Sequence, residues 1–139
     1  MQRIRITIGL HVLIGTLEDE RAPATCVAFL ALLPLRALLI QARWSGEAAW
    51  VPLGNLNVGV GLENATHRPR PGQVLLYPAG VSETEILIPY GVAAFAAKSG
   101  PLEGNHFLTI DDAEEALTEI GRRVLYEGAQ DVVFELLSN

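Results

Sequence analysis

Ile4, Ile6 and Ile8 alternate with Arg3, Arg5 and Thr7, a period of two that marks a strand with one buried face. After Gly-Leu-His the run VLIGTLE reads as a second strand, and Gly9 suits the tight connection between them. The period then changes. In DERAPATCVAFLALLP, Cys26, Leu30 and Leu33 follow at spacings of four and three, and Pro23 fits a first helical turn, where its missing N–H is not needed. Pro34 closes the segment because the residue before a proline avoids helical geometry, so a helix is expected over residues 22–33.

RALLIQARWSGEAAWVPL is apolar and then strand-like, and GNLNVGVGLENATHRPRPG reads as a glycine-rich loop with room for a short strand. QVLLYP and TEILIPYG are strand candidates, each closed by proline or glycine. VAAFAAKSGPLEGN is too broken by glycine and proline to assign, whereas HFLTI is a short strand. A second helix is expected over residues 111–127: acids crowd its start, Arg122 and Arg123 sit near its end, and Gly128 can cap it. Leu117, Ile120 and Val124 give it one apolar stripe, and DVVFELL supplies a closing strand.

No repeat or linker interrupts this order, so residues 1–139 are expected to form a single domain. Many short strands with only two helices point to a mainly β fold, a closed β-barrel with two α-helices covering its open ends.

Half of the residues are hydrophobic and the mean hydropathy is +0.28, which fits a packed globular chain. A net charge of −6 argues against nucleic acid or an anionic membrane as partner, since both require a basic face. Arg68 and Arg70 form a local basic pair, but prolines interrupt it and a solvated loop is the simpler reading. Cys26, the single cysteine, excludes an internal disulfide and a cysteine-based zinc cluster, and in its apolar surroundings reads as a small hydrophobe. The N-terminus lacks a leader pattern and VAFLALLP is too short to cross a bilayer, so a cytoplasmic location is expected. A homo-oligomer stays open.

The candidate chemistry centres on RWSGEAAW, Arg43–Trp50. On a strand, Arg43, Ser45 and Glu47 would point to one side and Trp44, Gly46, Ala48 and Trp50 to the other. One reading packs the tryptophans inward and leaves Arg43 and Glu47 as an exposed pair worth little. The other places a bulge at Gly46, which re-aims side chains toward a site. Arg43 then offers a planar fork of donors to a carboxylate or amide, and Trp44 or Trp50 an apolar wall. Glu63 and Asn64 follow a glycine-rich loop, Tyr90 lies at a strand end, and Asn105 and His106 follow Gly104. The histidines show no metal-ligand spacing, no lysine and helix follow GVGLEN as a phosphate loop would require, and neither metal nor cofactor is expected, although His106 with Glu47 and Glu63 could form a metal site if the fold brought them together.

LEDERAPATCVAFLALL resembles the cyclophilin run of strand, Ala-Pro turn and helix with a buried Phe, here Phe29, and LEGNHF resembles the family's stretch around an active-site histidine, here His106. Over nearly the whole chain, RWSGEAAW, ENAT, PGQVLLYP, IPYG and GNHF are similar to a bacterial cyclophilin-like family of unknown function. The resemblance implies a cyclophilin-like barrel. It also implies, through its departures, that prolyl isomerase activity is absent. Arg43 can stand for the cyclophilin arginine, but Ala48 and Val51 occupy the offsets of its Phe and Gln partners, and Pro101 replaces a tryptophan.

Three functions stay in view: a small-molecule site at the barrel mouth, binding or enzymatic, for a carboxylate or amide metabolite; isomerase-like peptide binding; and a non-catalytic interaction subunit. The first is favoured. Arg43, Glu47, Glu63 and His106 are the expected catalytic set on one cavity, with Trp44, Trp50, Asn64, Tyr90, Asn105 and Phe107 contacting the ligand. Carboxylates near Arg43 are expected to stay ionised, and a buried one further off to have a raised pKa.

Overall fold

The first two strands form the hairpin that the alternating pattern predicts: β1 (Arg3–Ile8) and β2 (His11–Leu17) pair antiparallel, Ile8 opposite His11. The computed structural model describes residues 2–137. Along the chain follow α1 (Pro23–Leu30), β3 (Leu35–Gln41), β4 (Gly46–Pro52), β5 (Ala65–Thr66), β6 (Gln73–Tyr77), β7 (Glu85–Ala93), β8 (Ala96–Ala97), β9 (Gly100–Pro101), β10 (Gly104–Ile110), α2 (Glu114–Glu127) and β11 (Gln130–Leu137).

The main sheet runs β2-β1-β11-β3-β4-β7-β6-β10, and β10 pairs back onto β2 from Leu108↔Leu17 to Ile110↔Gly15. Eight antiparallel strands thereby close a barrel that leaves no free edge in the ring, while β5 adds a short outer strand to β10 and β8–β9 form a separate small hairpin.

Strand alternation divides the buried side chains into two sets. Ile4, Ile6, Ala49, Val51, Leu76 and Ile86 belong to the barrel core, completed by the buried faces of both helices. Phe29 of α1 stacks against Phe107 at 4.8 Å and Phe134 at 5.5 Å between ring centroids. Truncating such a ring typically costs about 3–5 kcal/mol. The alternate positions of β4, β6 and β7, namely Ala48, Leu75, Tyr77 and Leu87, form a second cluster with Phe95 on the outer face of the sheet.

Both helices are shorter than their sequence pattern. α1 stops at Leu30, and the N–H groups of Leu32 and Leu33 turn back to Phe29 and Leu30 in tighter three-residue loops, because Leu33 before Pro34 cannot remain helical. α2 starts at Glu114 because Asp111 still bonds to Ile14 of β2 and Asp112 has a positive φ of 44°. The unassigned VAAFAAKSGPLEGN stretch holds β8–β9, with Phe95 buried at its start.

Candidate functional site

Ala42–Ser45 is a turn between β3 and β4, so Arg43, Trp44 and Ser45 do not follow the strand alternation expected of them. Gly46 reverses the chain at φ +85°, a backbone region that side chains with a Cβ rarely adopt, and the β4–β7 register shifts between Gly46 and Ala48. This is the bulge that Gly46 predicts. Gln41 fastens the turn from within: its Nε2 donates to the carbonyls of Ala42 at 3.1 Å and Gly46 at 3.0 Å, and its Oε1 accepts from the Tyr90 hydroxyl at 2.7 Å. On the far side, the buried Ser45 hydroxyl accepts the Ala96 N–H at 3.1 Å, joining the turn to β8.

A cavity of about 630 Å³ opens among this turn, the Val81–Ser82 loop and the Ala96–Ser99 hairpin tip. Trp44, 51% exposed, and the half-buried Trp50 wall it, with Ile40 adding apolar surface and the exposed Arg43 and Lys98 supplying cations. Both tryptophans of RWSGEAAW are therefore walls of a pocket, and Trp50 also packs against the buried cluster around Phe95. The cavity lies against the outer cluster, on the outer face of the β4–β7–β6 sheet, and not at the barrel mouth.

Glu85 is the cavity's most unusual residue. It points the same way as Leu87, is only 6% exposed, and its carboxyl makes no hydrogen bond or ion pair among the described residues. Every buried side-chain polar atom in the described residues has a partner, so this carboxyl keeps contact with the cavity. Burial, reinforced by the charge of Glu83, pushes its pKa from the usual 4.5 up to about 8.

The other expected site residues are elsewhere. Glu47 is exposed and its Oε1 accepts the Val92 N–H at 2.8 Å. Glu63 Oε1 accepts the N–H and hydroxyl of Thr25, capping α1 from a distant loop. Asn105, fully buried, donates to Thr25 Oγ1 at 3.0 Å and the Gly61 carbonyl at 2.9 Å, and accepts the Glu63 N–H at 3.1 Å. Asn64 donates to the His106 carbonyl at 2.8 Å. The His106 ring lies 2.8 Å from Thr109 Oγ1, which donates to Glu18 at 2.7 Å, so Nε2 is the donor toward Thr109. Burial lowers the His106 pKa, against an opposing pull from Glu18. Phe107 is entirely within the core, and Tyr90 lies beneath α2 with its pKa raised by burial.

Of the expected constellation, Arg43, Trp44 and Trp50 line the cavity, and Glu47, Glu63, His106, Asn64, Tyr90, Asn105 and Phe107 do not. The physical reason is local demand: the Glu63–Asn105 group satisfies the start of α1, and Glu47 satisfies the backbone beside its own bulge. Among the described residues no three His, Cys, Asp or Glu side chains gather as metal ligands. Cys26 is buried, donates to the Phe107 carbonyl at 3.4 Å, and has its thiol pKa pushed up to about 12, chiefly by burial.

Glu85, Lys98 and Gln41 escape the sequence reading. Glu85 left one signal: it opens the nearly continuous apolar run EILIP, typical of a strand buried on both faces. No helix in the described residues is long and apolar enough to cross a membrane.

The fold has known counterparts. McbB in complex with tryptophan superposes with a TM-score of 0.75 at 18% identity, covering 98% of this chain, which spans only 45% of McbB. A hypothetical protein from Archaeoglobus fulgidus gives 0.63 at 20% identity, covering 98% of this chain and 95% of that one. A cyclophilin-type peptidyl-prolyl cis-trans isomerase from Cryptosporidium parvum, in the presence of the dipeptide Ala-Pro, gives 0.59 at 14% identity, covering 99% and 100%. The barrel is therefore cyclophilin-like. No curated protein matches the chain in sequence. Residues 8–136 match the family described as "Protein of unknown function (DUF3830)", and the chain belongs to that family.

Proposed function

We propose that this protein binds a small molecule carrying a carboxylate or amide and an apolar body, in the cavity beside Arg43. The observation that carries this reading is the buried, unpartnered Glu85 carboxyl in a cavity walled by two indoles and flanked by Arg43 and Lys98. Its volume of about 630 Å³ falls within the range of metabolite-sized pockets, and a few polar groups in a largely apolar lining are what such pockets use for orientation. Arg43 receives the acidic end with paired donors, and the tryptophans cover the apolar body. That McbB, a larger protein with this fold, holds tryptophan fits a ligand of this kind.

Thermal shift with 3-phenylpropionate and its amide tests the reading on wild type, Arg43→Ala and Trp44→Ala. Stabilisation grows with the logarithm of ligand excess, about 2.7 kcal/mol at a hundredfold over Kd. Wild type is expected to be stabilised and both variants much less. No shift in wild type, or equal shifts in all three proteins, overturns the reading.

A further inference from the structure

Arg43 and Lys98 flank the cavity, yet neither forms an ion pair with Glu85 among the described residues. The charged groups acting on Glu85 reduce to Glu83, which repels, on an adjoining loop position whose own carboxylate is engaged with the Gly54 N–H at 3.2 Å. The cavity thus holds its cations and its acid apart, each without a partner among the described residues. A protein that needed only to bury a structural carboxylate would have bonded it, as the half-buried Glu63 is bonded to Thr25.

We propose that the ligand is an α-amino acid with an aromatic side chain, its carboxylate at Arg43 and Lys98, its ammonium at Glu85, and its ring between Trp44 and Trp50. This rests on the reading of the cavity as a small-molecule site and names the ligand's class. A recessed carboxyl with no donor aimed at it favours the neutral form, and a ligand ammonium is the partner that restores its charge. Glu85 then passes from carboxylic acid to carboxylate as the ammonium arrives, and its proton leaves to solvent. The indole faces also favour an adjacent cation. Glu85 therefore acts as a selectivity group that distinguishes a zwitterion from a simple acid.

Three probes separate the contributions: L-phenylalanine, 3-phenylpropionate, which lacks the ammonium, and phenethylamine, which lacks the carboxylate. Isothermal calorimetry on wild type should rank L-phenylalanine at least about tenfold tighter than either analogue. Near neutral pH its binding should release protons, seen as heats that differ between buffers of different ionisation enthalpy. Glu85→Gln keeps the side-chain shape and removes the charge, and it should abolish both the preference over 3-phenylpropionate and the proton release. Melting temperatures of the variant confirm that it folds. If wild type binds 3-phenylpropionate through Arg43 and gains nothing from the ammonium, the amino-acid assignment falls while the small-molecule reading stands. The same holds if the preference survives in Glu85→Gln. If none of the three probes binds, both fall.

Discussion

Glu63 reaches from the loop before β5 to Thr25 in the first turn of α1, accepting its N–H at 2.6 Å and its hydroxyl at 2.8 Å through one carboxylate oxygen. The helix lacks a capping side chain of its own, because Ala22 stands at the cap position. A distant acid takes over that role, and its charge also suits the positive end of the helix. Glu63→Ala should destabilise the fold by about 1–3 kcal/mol, since it leaves the buried Thr25 N–H without a partner. Chemical denaturation measures this. If Glu63 served the ligand instead, the variant would lose binding of 3-phenylpropionate at unchanged stability.

Glu85 makes stability depend on pH in an opposite sense to an ion-paired acid. Its pKa rises from the usual 4.5 to about 8 on folding, so within that window the folded chain holds a proton that the unfolded chain has lost. The contribution is fully present below about 4.5 and is lost as pH rises through about 8. Thermal melts across this range should show wild type weakening relative to Glu85→Gln. Parallel curves would place the carboxyl in water.

Much of the fold was legible because one-sided burial leaves a period in the sequence. Ile4, Ile6 and Ile8 show it at two residues, and Leu117, Ile120 and Val124 at three to four, and these elements form where the pattern puts them. The cavity was legible only in part. Arg43, Trp44 and Trp50 lie close together in the chain around one turn, so a local reading found them. Glu85 and Lys98 arrive from β7 and the β8–β9 tip, and nothing local records that the outer face of β4, β7 and β6 is covered there. His106 and Glu63 looked chemical for their residue types, whereas what fixes them is the long-range bonding of Asn64, Asn105, Thr25 and Thr109.

Gly121 of α2 lies directly against the ring of Tyr90, with no room for a Cβ. Gly121→Ala therefore forces the helix off the barrel or the ring off its place, at about 1–3 kcal/mol for an overpacked contact, more than offsetting alanine's better helix propensity. The melting temperature should fall. Tyr90→Ala in the same background should recover part of the loss, and a purely additive double variant would deny the contact.

Prolyl isomerase activity is expected to be absent. Ala48 and Val51, at the offsets where cyclophilins carry Phe and Gln, are fully buried, one in the outer cluster and one in the barrel core. Neither offers a side chain to a peptide beside Arg43. A proline-peptide assay should match the uncatalysed rate, and catalysis that Arg43→Ala abolishes would overturn this.

Gln41 ties the pocket to the barrel. One amide accepts from Tyr90 at 2.7 Å and donates to both ends of the turn that presents Arg43 and Trp44. Gln41→Ala removes these bonds without touching either wall residue, so the turn loses its inner side-chain anchor and keeps those at Ser45, in the β3–β4 ladder and from the Ala42 N–H to the Ala48 carbonyl. Each lost bond contributes about 0.5–1.5 kcal/mol to stability, a modest change in melting. The larger effect should fall on binding, because a turn free to move must be ordered again before the ligand contacts form. Affinity for 3-phenylpropionate should drop by about tenfold, mostly through faster dissociation. Gln41→Glu supplies the discriminating control: it can still accept from Tyr90 but cannot donate to Ala42 and Gly46. It should therefore resemble Gln41→Ala in binding, and wild-type affinity in Gln41→Glu would show that the donors to the turn are not what holds Arg43 in position.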